Sequence, residues 1–286
     1  MPKVTDCIIR VNSVQEFLTA IDVAASALCD PTQNQNCELW YRGQVQTGYK
    51  LLPNIARSTK AGLKLNPELE TVFLSKFKSL SIPYVESLPT PPLPNGTTPY
   101  WSWLFQTQHY GVPTRLLDWT HDALVALYFA TNPEDSSLTP GIDAAVWVLN
   151  PVVLNKAFSF NSYVKSGYIP NVEETGFNVL FGPDSELLSS PKPAAAIGPL
   201  NNNRIIAQRG VFTVFPHQKN LLALEEFEDS AGYLFKICIA SKSFNAIQAQ
   251  LQRYGITKIT LFPELQSVAG EITQQVISES IQPSDP

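Results

Sequence analysis

Residues 123–130 read ALVALYFA, with only the phenol of Tyr128 to interrupt an apolar surface on every face. A helix of that kind has to be buried inside a sizeable domain. It closes a dense stretch, LFQTQHYGVPTRLLDWTHDALVALYFAT over residues 104–131, which also holds His109, Tyr110, Arg115, Asp118 and His121. Gly111 and Pro113 break the middle of the stretch, so its first part reads as a loop or helix end running into a turn. Thr120 is placed to cap a helix over 121–131, with Asp122 in the first turn. Polar groups are thereby delivered to the lip of a buried element, where they are costly unless paired or used.

The remainder of the chain supplies partners for that helix. A capping box at Ser13–Glu16 opens an amphipathic helix over 14–28. Further helices are predicted at 67–79, with Leu69, Val72, Phe73, Phe77 and Leu80 facing inward, and at 244–254 and 264–276. Strands are predicted from Val4 to Val11 and at 37–41, 143–149, 211–215, 233–239 and 258–262, with Lys236 facing outward. Long helices alternate with separated strands but without regular βα spacing. The expected fold is therefore α+β, a mixed, mostly antiparallel sheet covered by helices. The expected organisation is an N-terminal strand and helix (1–36) packing on a main domain (37–280). Insertions fall at 81–100, which is rich in proline, and at 151–200, which is irregular with short helices; a tail follows at 281–286.

With 286 residues and a formal net charge of −5, the chain can bury a substantial core but lacks the basic surface of a general nucleic-acid binder. Cys7, Cys29, Cys37 and Cys238 match no zinc spacing and lie in apolar contexts, which reads as buried free thiols of a cytosolic protein. There is no charged-then-apolar leader and no run of 18 apolar residues, so the expectation is a soluble, cytoplasmic protein without membrane contact.

Two places carry candidate chemistry. Tyr41-Arg42-Gly43, at the end of the 37–41 strand, sets a guanidinium fork beside backbone that a ligand can approach, suited to phosphate or carboxylate. An internal salt bridge beside a turn glycine is the alternative. In the central stretch, Asp118 stands near His109, Tyr110 and Arg115, either as a site carboxylate or as half of a buried ion pair with Arg115. The aromatics Tyr100, Trp101 and Trp103 serve either as a stacking platform or as core. The histidines have no ligand-like spacing, so no metal is expected. The absence of a Walker loop, GxGxxG and GxSxG removes the commonest nucleotide and hydrolase frameworks.

Four segments, WYRGQ, YKLLPNIAR, FQTQHYGVPTRLLDWTHDALVALYFA and RIIAQRGVFTVF, together resemble the FRG domain family over roughly residues 37–215. That resemblance implies a bacterial protein, connected in some members with defence against phage. A more distant similarity, to ADP-ribosyltransferases of the arginine-serine-glutamate type, implies NAD as substrate. In that similarity Tyr41, Arg42 and Gly43 stand for the first element, the Leu117–Thr120 region for the second and Ile205–Phe215 for the third. Gln208 stands where the catalytic glutamate belongs, which leaves Asp118 as the carboxylate able to stabilise the charge that develops on the ribose. The implied catalytic set is Arg42, His109, Asp118 and Gln208; Tyr41, Arg42, Gly43, Tyr110 and Arg115 would hold the NAD, and the acceptor is a macromolecule of unspecified kind. The alternative is a non-catalytic module that binds a nucleotide, a nucleic acid or a protein through the same cleft.

Overall fold

The computed structural model describes residues 6–30, 37–57, 65, 67–84, 100–132, 139–157, 168–183, 185, 192–200, 202–218 and 220–280. The start of the first predicted strand at Val4, most of the 81–100 excursion, part of the 151–200 insertion and the 281–286 tail lie outside those residues.

Seven strands form one sheet: β1 (Ile9–Val11), β2 (Trp40–Gln44), β3 (Leu116–Thr120), β4 (Ala144–Leu149), β5 (Ala194–Ala196), β6 (Gly210–Val214) and β7 (Leu234–Ile239). Their order is β1-β7-β4-β2-β3-β6-β5, with β1 parallel to β7 and every other pair antiparallel. Ten helices accompany them among the described residues: α1 (Val14–Leu28), α2 (Glu70–Ser81), α3 (Tyr100–His109), α4 (Ala123–Thr131), α5 (Pro151–Ala157), α6 (Thr175–Phe181), α7 (Asn203–Ala207), α8 (Phe244–Arg253), α9 (Lys258–Leu261) and α10 (Leu265–Ser280). This is the expected α+β arrangement.

Alternation along β4 divides the core into two layers. Trp147 and Leu149 enter the layer that holds Trp40, Trp101, Phe105, Trp119 and Phe177 on one face of the sheet. Ala144, Val146 and Val148 enter the other, against α1, α4 and α8. Successive side chains of a strand point to opposite faces, so a strand buried on both sides is apolar throughout.

The sheet is not evenly laced. β2 pairs with β4 along all five of its residues, and β3 pairs with β6 along all five of its own. Between β2 and β3, however, the ladder has the single rung Tyr41–Thr120. The two strands diverge from that rung, leaving a V-shaped gap between the half-sheets β1-β7-β4-β2 and β3-β6-β5. Gly43 lies on the open arm, and its missing side chain has a packing cause. A Cβ there would stand 2.0 Å from the Ala126 carbonyl oxygen and 2.6 Å from the Ala130 nitrogen, so glycine allows α4 to lie directly on β2.

Several expectations are corrected. Arg42 and Gly43 lie inside β2, not beyond a strand end. The 258–262 segment is helical: the Thr257 hydroxyl accepts from the Thr260 amide at 3.3 Å and the Thr260 hydroxyl from the Thr257 amide at 2.9 Å. That local cap overrides the β-branched composition. Residues 116–120 form a strand, with Asp122 as N-cap of α4, its Oδ1 accepting from the Leu124 and Val125 amides. The stretch entering the Gly111 turn is the helix α3, and Trp101 and Trp103 on it are core. Leu69, just before α2, and Val72 and Leu80 on it are exposed while Glu70 and Leu74 are buried, because Glu70 is drawn inward by Arg115. Lys236 is buried, donating to the Thr47 carbonyl at 2.7 Å with its ammonium 4.9 Å from the Trp147 ring centroid.

The cysteines are not free. Cys7 bonds Cys238, joining the approach to β1 to β7, and Cys29 bonds Cys37 across eight residues; the Cα atoms stand 5.7 and 5.8 Å apart. Disulfides characterise oxidising compartments, so the thiol argument for a cytosolic protein falls. No helix among the described residues is long and apolar enough to cross a membrane.

Candidate functional site

The gap between β2 and β3 opens into a cavity of about 300 Å³. Tyr41, Arg42 and Gly43 form one wall, Asp118, Trp119 and Thr120 the other; Ala126 and Phe129 of α4, Tyr49, Arg57 and Gln208 complete it. The Arg42 Nη1 reaches across the gap and donates to the backbone carbonyl of Asp118 at 2.6 Å, with the Asp118 carboxylate 3.8 Å away. The arginine thus substitutes for the ladder bonds that the divergent strands do not make. Its Nε is buried without a hydrogen-bond partner.

Arg57 brings a second cation to the same cavity. It follows a short 3₁₀ turn at Asn54–Ala56, and its Nε donates to the Leu52 carbonyl at 2.9 Å. Its Nη2 is likewise buried and unpartnered. Burial, reinforced by the charge of Arg57, pushes the Arg42 guanidinium down to about 10, and burial also lowers Arg57. Both remain charged at neutral pH. Two cations thus face one carboxylate, Asp118, which is largely exposed. Buried guanidinium N–H groups normally find acceptors, and among the described residues these two have none.

A second chamber of about 230 Å³ adjoins the first and shares Asp118, Trp119, Phe129 and Gln208 with it. His109 ends α3 on this side, with Tyr110 edge-on at 4.9 Å between ring centroids. Burial is the main cause of the lowered His109 pKa, Arg204 adds to it and Glu264 opposes it. Arg204 itself is held by Glu264 through two bonds of 2.5 and 2.7 Å. The structure therefore places Arg42, Asp118, Gln208, Tyr41 and Gly43 around one cleft and His109 in its second chamber.

Arg115 is not among them. It is fully buried, with Nε 2.9 Å from Glu70 and further bonds to Phe215, Tyr100 and Phe181. The proposed Arg115–Asp118 pair does not exist, because β3 turns the two side chains apart and Glu70 satisfies the arginine. Tyr110 is 64% exposed and lines neither chamber. Gln208 is the C-cap residue of α7: its carbonyl accepts from the Thr120 hydroxyl at 2.6 Å and its amide donates to the Leu261 carbonyl at 3.0 Å. It is a fastening between β3, α7 and α9. The next residue, Arg209, has φ 48°, a left-handed conformation that ordinary side chains rarely adopt. Arg57 and Phe129 were not singled out from the sequence, although YKLLPNIAR ends on Arg57; a lone arginine after a Pro-Asn turn carries no spacing signal.

The cleft between the two half-sheets is thus lined by two arginines and a carboxylate. Residues 37–138 match the model of the FRG domain, so the chain contains that domain, and the match takes in β2, Arg57, Asp118 and α4. No curated protein and no solved structure matches the chain.

Proposed function

We propose that the cleft binds an NAD-type dinucleotide and that the protein breaks its nicotinamide–ribose bond, the ADP-ribosyl group passing to an acceptor. The observation that carries this reading is the pair of arginines, Arg42 and Arg57, that line one cavity, each with one buried N–H group, Arg42 Nε and Arg57 Nη2, that has no hydrogen-bond partner. A pyrophosphate offers the separated acceptor oxygens that two guanidinium forks require. Tyr49, Trp119 and Phe129 give the cavity an apolar body for the attached rings. As the glycosidic bond breaks, its electron pair leaves with nicotinamide and positive charge develops on the ribose. Asp118 is the carboxylate available to stabilise that charge.

The test is incubation with millimolar NAD, following free nicotinamide and the melting temperature. The expected result is nicotinamide release together with an upward thermal shift, both lost in Arg42→Ala, while Asp118→Asn keeps the shift and loses the release. A wild-type protein that melts unchanged in NAD refutes the reading. A second reading, capture of the nucleotide without turnover, is favoured by Gln208, whose amide is committed to Leu261 where a second carboxylate would be wanted. It predicts the thermal shift with no nicotinamide.

A further inference from the structure

Asp118 has both carboxylate oxygens engaged, one from each chamber. Oδ1 accepts from Gln108 Nε2, and Oδ2 faces Arg42. A carboxylate held in this way is suited to balance charge. The second chamber, across Asp118 from the arginines, contains a different kind of group. Among the described residues no hydrogen bond occupies the imidazole of His109; its ring meets that of Tyr110, Arg204 shares the chamber wall with it, and Glu264 acts on it through its charge.

We infer that the second chamber receives the nucleophile and that His109 is the base that removes its proton. The inference rests on the nicotinamide-bond reading above. In the step it describes, the bond from the ribose carbon to nicotinamide breaks and the pair goes to nicotinamide. An uncharged O–H or N–H nucleophile, water in the simplest case, forms the new bond to the same carbon, and its proton passes to the imidazole nitrogen. His109 ends the reaction as imidazolium and returns the proton to solvent.

Three features of the chamber support this. First, Asp118 is common to both chambers, so a bond lying against it is approachable from the His109 side while the phosphates occupy the arginine side. Second, the walls include Phe105, Phe212 and Phe262, surfaces that restrict bulk water around a reactive centre. Third, burial, with Arg204 adding to it and Glu264 opposing it, favours the neutral imidazole, as a base requires. Arg204 on α7 faces it as a cation already paired with Glu264 and stacked 5.1 Å from the Phe262 ring centroid. Glu264, preceding α10, and Asp118 on β3 are the anions of that surrounding, and Tyr110 is its neighbour on the chain.

The experiment compares wild type, His109→Gln and His109→Ala for nicotinamide release between about pH 5 and pH 8, with NAD-induced thermal shift measured on the same samples. Expected are a retained shift, a release rate lower by roughly 100-fold, disappearance of the acidic limb of the wild-type profile, and partial recovery of His109→Ala on adding imidazole. Variants that keep the wild-type rate and profile overturn the assignment, and so do variants that lose the thermal shift, because His109 is then a binding or structural residue. A wild type that binds NAD without releasing nicotinamide overturns it while leaving nucleotide binding intact. A wild type that does not bind NAD removes both.

Discussion

Replacing Gly43 with alanine tests the packing that shapes the cleft. The added Cβ would lie 2.0 Å from the Ala126 carbonyl oxygen and 2.6 Å from the Ala130 amide nitrogen, both backbone atoms of α4. The closest comfortable approach of a carbon to a carbonyl oxygen is about 3.3 Å, so the helix has to retreat from β2 by roughly 1.3 Å. α4 cannot do so alone. Its buried residues Val125, Leu127 and Tyr128 share a core layer with Val146, Ile247 and Leu251, in an interior packed without slack. Overpacking costs typically 1–3 kcal/mol and more where backbone must move, and we expect about 3 kcal/mol for Gly43→Ala. In a chain of this size that corresponds to a fall in melting temperature of roughly 6–12 °C. Urea unfolding followed by far-UV circular dichroism reads the loss directly, with Gly232→Ala as control, since a Cβ there meets nothing within 4 Å. A Gly43→Ala protein within about 0.5 kcal/mol of wild type, the spread of ordinary surface substitutions, would show that α4 does not rest on β2 as described.

Other outcomes follow from the same geometry. Glu70→Gln leaves the Arg115 guanidinium, fully enclosed, without its counter-charge, and a loss of about 3–5 kcal/mol is expected by chemical denaturation; near-wild-type stability would contradict the buried pair. His217 is held neutral by burial and by Arg115, its pKa pushed down to about 4, with the Glu70 carboxylate 3.5 Å away already committed to Arg115. Its unfolded form binds a proton first, so its contribution is complete above about pH 6.5 and is lost as the pH falls toward 4. A pH series of unfolding curves should show a decline of about 3 kcal/mol across that window, flattened in His217→Gln. Alkylation under denaturing conditions without reductant should leave all four cysteines unmodified. Loop-closure entropy makes Cys7→Ser, which opens a separation of 231 residues, costlier than Cys37→Ser, which opens one of eight: about 5 against about 2.5 kcal/mol.

What the sequence disclosed and what it withheld divide along a physical line. β4, β6 and β7 were legible to within a residue because strands buried on both faces are apolar runs. α1 announced itself through Ser13, whose hydroxyl accepts from the Glu16 amide at 3.2 Å. β5 escaped because its three alanines have little intrinsic strand preference and are held by β6 on one edge and by the Asn155 side chain on Ala195, partners distant in sequence. α9 was misread because a four-residue capping box outweighs the composition of Lys-Ile-Thr-Leu. At the site, Arg42 and Asp118 stood out by residue type, but the sequence carries no sign of which partner each would take. Arg115 precedes Asp118 by three residues and was the natural candidate; an extended chain sends them to different surroundings, and the true partners, Glu70 and Arg42, lie far off in sequence. Arg57 was invisible as a site residue because its position depends on the turn at Asn54–Ala56 packing under Thr114, whose carbonyl accepts from the Ile55 amide at 3.2 Å.

The lone rung between β2 and β3 has a mechanical consequence. Each half-sheet is a stiff plate, cross-braced by full ladders, and the plates are coupled at Tyr41–Thr120 by one rung, with the Arg42 strut to the Asp118 carbonyl bracing the open arm. Changing the angle between plates strains no other β2–β3 rung, so compliance is concentrated where the ligand would sit. A guest that engages Arg42 and Asp118 adds a second tie across the opening, and the pair of plates then behaves as one continuous beam.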